Sequence, residues 1–212
     1  MTVVVQGESH SFPDGKGLPD HVEGLSLPVM VVLGDGATLP SSTAGQVVAI
    51  ELGLECLGVH AGESRGDEGS NVVGFARFRL GSGSPSNLVE LVRQPHTAIA
   101  AVEDVAKFFR AAGMEVAVCA DAPGRILNRL IRPYVNAALA SLDEGLATAV
   151  DIDGTVRMGL GYPQGPIELI EGTGLADHYR VSRALFEALG GSDLVPARRS
   201  QVAYERQRRR NG

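Results

Sequence analysis

The sequence predicts a small α/β unit followed by a nearly all-helical half, and three observations carry that expectation. Short apolar runs ended by glycine turns fill the first part of the chain. Helical spacing of apolar residues begins only after residue 97, and fifteen of the 27 glycines fall within the first 96 residues. A chain of 212 residues, 44% hydrophobic, is long enough to bury a core in one large or two small domains without disulfides. We place the boundary after residue 120, with 1–120 as the α/β domain and 121–212 as the helical domain.

The elements follow in order. VVVQG (3–7) reads as a short strand, SFPDGKGLPDH as a loop, and VMVVLGDG (29–36) as a buried parallel strand ending in a Gly-Asp-Gly turn. AGQVVAIEL (44–52) reads as a short helix. ECLGVHAG (55–62) and NVVGFARFRL (71–80) read as strands, GSGSPS as a turn, and NLVELVR (87–93) as a further strand. From Thr97 the period changes: Ile99, Val102, Val105, Ala106 and Phe109 share one helical face, and Gly113 supplies the stop. MEVAVCA (114–120) is again a strand, so 87–120 forms a strand–helix–strand unit that requires parallel pairing.

Asp121 as cap and Pro123 in the first turn then open a long helix, with an apolar stripe of Leu127, Leu130, Ile131, Tyr134, Ala138 and Leu142. Pro133 inside it predicts a kink. Helical patterns continue at 148–159, 166–172, 174–189 and 193–208.

Charge narrows the function classes. The net charge is −6, yet the last sixteen residues hold six arginines (198, 199, 206, 208, 209 and 210) against Glu205. An acidic chain whose basic end carries one aromatic, Tyr204, fits a solvated helix end better than a nucleic-acid binder. No apolar run reaches 18 residues and MTVVVQGESH lacks a basic leader, so neither a membrane span nor a secretory signal is expected. Cys56 and Cys119 alone make no disulfide framework, and we expect a cytoplasmic protein. No metal-ligand spacing, nucleophile elbow or phosphate loop occurs, and Glu63, Asp67 and Glu68 read as a solvated connector.

The strings Pro123-Gly124, Asn128-Arg129, Pro133-Tyr134, Glu144-Gly145, Asp151-Ile152-Asp153 and GLGYPQGPIEL, in that order, carry a resemblance. The chain resembles the 3-hydroxyacyl-CoA dehydrogenase family in its helical C-terminal domain, over about 120–210. VVGF (72–75) and NLVELVR resemble the end of that family's nucleotide-binding domain. The implied fold is a reduced Rossmann-like N-terminal domain plus an all-α C-terminal dehydrogenase-like domain. The family's helical domain is largely a packing and dimerisation unit, so its motifs argue fold before activity.

The implied reaction oxidises a 3-hydroxyacyl thioester with NAD. The family uses a histidine base in a His-Phe-Phe-Asn/Ser-Pro motif, a glutamate twelve residues later that pairs with it, and an asparagine at the substrate oxygen. Glu90 takes the glutamate's place and Asn128 the asparagine's. Aligned from Gly74, the histidine position is Ala76; counted back from Glu90 it is Phe78, and residues 61–95 contain no histidine. His60 and His96 flank that window and read as ordinary surface histidines. His10, His21 and His178 have no site context, and Arg125 stands where the family has phenylalanine. Glu90 alone, with a reference pKa of ~4.3, makes a weak base.

The dinucleotide fingerprint is also incomplete. Gly34 and Gly36 are the candidate cofactor glycines, but Ala37-Thr38-Leu39-Pro40 follows instead of a third glycine, and Asp35 brings negative charge. Glu55, nineteen residues past Gly36, lies near the spacing of a ribose-binding acid. Only about 45 residues separate the start of VMVVLGDG from Gly74, too few for a full doubly wound domain, so a sheet of four or five strands with some crossovers lost is expected, and the chain resembles the shortened second half of a duplicated dehydrogenase.

Three readings follow. The first is a dehydrogenase-like protein of acyl-CoA catabolism that lacks the catalytic histidine, has little or no activity, and forms a homodimer or a complex with a full-length dehydrogenase. The second is an active NAD-dependent dehydrogenase with a rearranged Glu90 and Asn128 site. The third is an acyl-CoA binding or assembly module.

Overall fold

The computed structural model describes residues 2–63 and 70–212, so Asp67 and Glu68 of the expected connector lie outside the described residues. The chain divides into two compact units: 1–79 with 85–126, and 80–84 with 127–212.

The first unit is a six-stranded sheet in which spatial order equals chain order. Its strands are β1 (Thr2–Val5), β2 (Val29–Leu33), β3 (Val47–Glu51), β4 (Val72–Arg77), β5 (Leu88–Arg93) and β6 (Glu115–Ala120). All neighbours are parallel except β4 and β5. The sequence allowed four or five strands; six fit because the connections after β1 and β2 contain no helix.

Residues 44–52, expected as a helix, contain β3 instead. Val47 and Ala49 join the core on one face, and Val48 and Ile50 join it on the other. A strand buried on both faces shows no alternation, so its apolar run cannot be told from a helical one by period. The reverse error occurred at 55–62, where the expected strand is the one-turn helix α1 (Gly58–Ala61).

Helix α2 (Ile99–Ala111) joins β5 to the parallel β6, as the strand–helix–strand reading required. It buries Val105, Ala106 and Phe109, but also Ala101 and Phe108, while Ile99 is 76% exposed in the first turn. The buried face is therefore rotated from the one expected. Phe109 packs at a tilt on Phe75, centroids 4.9 Å apart, and stacks on Phe12 at 6.2 Å. The segment after β1, expected only as a loop, thus drives an aromatic ring into the core. Buried Asp104 of α2 fastens the same segment by accepting from Ser26 N and Leu27 N.

The second unit holds α3 (Leu127–Asp143), α4 (Ala149–Leu160), α5 (Pro166–Thr173), α6 (Leu175–Leu189), a 3-10 turn (Ser192–Leu194) and α7 (Arg198–Asn211). Helix α3 begins at Leu127 rather than at Asp121 because Gly124 and Arg125 have φ of +76° and +51°, outside the helical region. Asp121 caps a different helix: its carboxylate accepts from Leu57 N and Gly58 N at the start of α1, both at 2.8 Å.

Pro133 lies inside α3, but the face the helix buries is not the expected apolar stripe. Asn128, Arg132, Val135, Asn136 and Leu139 are buried, and Leu130 is 66% exposed. The GYPQGPIEL string has a structural task. Buried Asp153 of α4 accepts from Ile167 N and Glu168 N, capping α5 from a distance, and a side chain at Gly165 would strike that carboxylate. Residues 80–84 dock on the end of α5, where Ser82 N donates to Thr173 O and a Cβ on Gly81 would overlap the same oxygen. No helix among the described residues is long and apolar enough to cross a membrane.

Candidate functional site

Glu90 sits in the middle of β5 and is 1% exposed. Its partner across the antiparallel β4 ladder is Ala76. Directly opposed residues project to the same face, so the register selects Ala76 over Phe78 as the position facing Glu90. Ala76 offers only a methyl group.

Glu90 has other company. Oε1 accepts from Ile126 N at 2.8 Å, and Oε2 lies 3.6 Å from Nε of the buried Arg125. Nη2 of Arg125 donates to Gly53 O at 2.8 Å, tying the guanidinium to the chain just after β3. Arg125 is the one described non-glycine residue with positive φ, a conformation that costs an L-residue ~1–2 kcal/mol and persists only when surrounding contacts hold it. A carboxylate in this setting is matched to a permanent cation, and removing either partner would strand a buried charge. Burial, with Glu90 close by, pushes the Cys119 thiol up to about 11; burial and Asp121 also raise Cys56. Neither thiol is set up as a nucleophile.

Asn128 belongs to the second unit, where it opens a buried polar chain. Nε of Arg132 donates to Asn128 Oδ1 at 3.0 Å, and Arg132 Nη1 meets His178 Nδ1 at 3.2 Å. His178 Nε2 lies 2.8 Å from Asn136 Oδ1. Since the guanidinium only donates, Nδ1 must accept and Nε2 must carry the proton, so this imidazole is neutral. Burial and the adjacent Arg132 lower the His178 pKa to about 3. No motif assigns His178 a role, although Asn128, Arg132 and Asn136 recur every four residues as a polar stripe on one helix face.

The other histidines differ. His60, within α1, lies 3.3 Å from Glu55 with its side chain 9% exposed, so it is not the surface histidine expected, while His10, His21 and His96 are exposed. Among the described residues, no group of three His, Cys, Asp or Glu side chains is placed to hold a metal.

Gly34 and Gly36 follow β2, in the loop where a dinucleotide would need backbone donors. Gly34 N donates to Glu51 Oε2, Asp35 N to Glu8 O, Ala37 N to Gly34 O and Thr38 N to the Gln6 side chain. Glu51, unnoticed in the sequence, is 3% exposed at the end of β3 and also accepts from Ser11 N at 2.6 Å. It fills with a carboxylate the place where a pyrophosphate would need donors. Gly34 is glycine for a different reason: a Cβ would lie 2.6 Å from Gly7 N.

No helix starts between Gly36 and β3, so no helix N-terminus faces the loop. The sheet order also contains no reversal, whereas dinucleotides bind where strand order reverses. The residues at Gly34–Gly36 do not fit a nicotinamide dinucleotide.

Comparison with known proteins bears on the helical part first. Residues 124–212 match the family described as 3-hydroxyacyl-CoA dehydrogenase, C-terminal domain. The mitochondrial hydroxyacyl-coenzyme A dehydrogenase of Homo sapiens is 40% identical over 88 residues, which cover 42% of this chain and 28% of that protein. The 3-hydroxybutyryl-CoA dehydrogenase of Bradyrhizobium diazoefficiens is 36% identical over 109 residues, 51% of this chain and 37% of the relative. The matched stretches thus span well under half the length of these relatives.

The crystal structure of (S)-3-hydroxybutyryl-CoA dehydrogenase from Ralstonia eutropha shares the fold, with a TM-score of 0.66 at 20% identity over 84% of this chain and 65% of that one. The first unit is accordingly a reduced Rossmann-like domain. Over residues 124–212 the chain is similar to the C-terminal domain of the 3-hydroxyacyl-CoA dehydrogenases.

Proposed function

We propose that this chain is a dehydrogenase-like protein of acyl-CoA catabolism that does not itself carry out hydride transfer, and that it acts as a dimerising or partner half. The observation that carries this reading is the surroundings of Glu90. It faces Ala76 where a proton-accepting imidazole would be needed, and it is matched to the buried cation of Arg125. A carboxylate whose oxygens are held by a guanidinium and a backbone N–H is occupied by internal partners rather than presented to a substrate hydroxyl. The commitment of the Gly34, Asp35, Ala37 and Thr38 amides to internal acceptors supports the same reading for NAD.

The partner role rests on α4. Its sequence, AVDIDGTVRMGL, is rich in apolar residues, yet its one buried residue is Asp153. Val150, Met158 and Leu160 are exposed, Met158 by 84%. A face of this kind is expected to be covered by a second copy or by the matching domain of a full-length dehydrogenase. Free thiols at Cys56 and Cys119 fit a reducing compartment such as the cytoplasm.

The test is turnover together with mass. Incubation with a 3-hydroxyacyl-CoA and NAD should yield no NADH above background. Turnover at ordinary enzymatic rates that disappears in Glu90→Gln would overturn the non-catalytic reading and favour a rearranged Glu90 and Asn128 site. In sedimentation, a homodimer should dissociate in Met158→Asp, while a protein that stays near 22.2 kDa at micromolar concentration would contradict self-pairing.

A further inference from the structure

The basic C-terminal end, which the function above does not use, borders a cavity of about 450 Å3 between α6 and α7. Helix α7 contributes Tyr204, Gln207, Arg208 and Asn211 to its wall, a spacing of three, four and seven that places them on one helix face. Tyr204 is half-buried, while Gln207, Arg208 and Asn211 are exposed, so the cavity opens to solvent. Together they present an aromatic ring, two amides and a guanidinium, and α6 answers with Ala176 and Arg180.

The wall holds Arg180 and Arg208 together with Asp177 and Gly212. Asp177 is 2.8 Å from Arg180, which leaves Arg208 as the wall's second cation. Glu205, on α7 but outside the wall, accepts from Gln201. Arg206, Arg208, Arg209 and Arg210 pair with no carboxylate among the described residues. Tyr204 is backed by Tyr179, their centroids 4.9 Å apart, which gives the cavity a firm aromatic wall.

We propose that the α6–α7 cavity binds a nucleoside phosphate, with Arg208 and Arg180 meeting the phosphates and Tyr204 packing against the base. Guanidinium groups suit phosphate oxygens, aromatic rings suit a flat base, and Gln207 and Asn211 supply donors and acceptors for its edge. The volume lies within the range of small-molecule sites. This site uses none of Glu90, Arg125, Gly34 or Gly36, so it stands or falls separately from the function proposed above.

Two sources supply the same chemistry: a free nucleotide, and the nucleotide end of coenzyme A. Calorimetric titration of the full chain with ADP, coenzyme A and inorganic phosphate separates them. ADP should bind at least about tenfold more tightly than phosphate, and Arg208→Ser and Tyr204→Leu should each weaken ADP about tenfold or more. Circular dichroism and melting of both variants should match the parent, which separates lost binding from lost folding. Coenzyme A binding as tightly as ADP assigns the site to coenzyme A, and exclusion of coenzyme A assigns it to the free nucleotide. Absence of ADP binding, phosphate binding as tight as ADP, or ADP binding indifferent to both variants would overturn the proposal.

Discussion

The two units differ in what they place at the centre and what they leave outside. The sheet unit is apolar on both faces, with buried carboxylates held by backbone N–H groups: Glu51 by Ser11 and Gly34, Asp104 by Ser26 and Leu27. The helical unit buries Val135, Leu139, Ile167 and Leu185, but also links Arg132, His178 and Asn136 through its middle and leaves Val150, Met158 and Leu160 of α4 outside. A unit of the first kind carries its own stability. A unit of the second kind has apolar surface left over for a partner and a centre that depends on protonation state. The contrast can be broken experimentally in four places, in order of expected size.

The largest effect should come from the sheet core. Phe75→Ala removes a fully buried ring in contact with Phe12 and Phe109, and should cost about 3–5 kcal/mol in chemical denaturation. Met158→Ala in α4 should change denaturation of the isolated chain by less than about 0.5 kcal/mol. Equal losses in the two variants would mean that α4 is as much a part of the internal core as β4.

Acid should act on the helical unit next. The folded His178 pKa of about 3 lies below the unfolded value of ~6.5, so the unfolded chain binds more protons in that window. Stability contributed by neutral His178 is therefore complete above pH ~6.5 and falls as pH drops toward 3. At pH 5 the loss should be about 2 kcal/mol. Denaturation at pH 7 and pH 5, read on parent and His178→Gln, measures it; a pH dependence unchanged in the variant would assign the effect to other groups.

Much of this contrast was legible in the sequence. The glycine-rich α/β unit and the helical unit were separable by period, and β2, β5, α2 and β6 stand where the residue patterns put them. What could not be read were contacts between residues far apart in sequence. Asp121 looked like a local helix cap because Pro123 follows it, but its acceptor oxygens serve α1, more than sixty residues away. The sequence shows no histidine in 61–95 and sets Arg125 apart as a charge near the site, but the pairing of Arg125 with Glu90 was not readable. Only the left-handed turn at Gly124 and Arg125 brings that guanidinium to Glu90, and no periodicity encodes such a turn. Glu51 was hidden for a similar reason: it is the one charge ending an apolar strand, and its value lies in amides from two other segments.

That hidden role yields the third prediction. In Glu51→Gln the new amide retains one acceptor oxygen and turns a nitrogen donor toward either Ser11 N or Gly34 N, leaving a buried donor unmatched. The cost should be about 1–3 kcal/mol, seen as a lower denaturation midpoint with an unchanged slope. If the loop instead gained affinity for NADH once the carboxylate was gone, charge rather than missing topology would be what excludes the dinucleotide.

The smallest effect belongs to the exposed helix that the partner argument depends on. Thr148 caps α4, its hydroxyl accepting from Asp151 N at 3.2 Å and donating to Asp151 Oδ2 at 2.6 Å. Both residues are on the surface, so Thr148→Ala removes a cap without opening a cavity and should cost about 1 kcal/mol. Little tertiary packing holds α4, which buries only Asp153, so this local loss should appear as faster amide exchange confined to 149–152 while global denaturation barely moves. If α4 is covered by a second copy, that exchange should slow as protein concentration rises. Exchange independent of concentration would leave the apolar face of α4 open in solution and count against its use as the pairing surface.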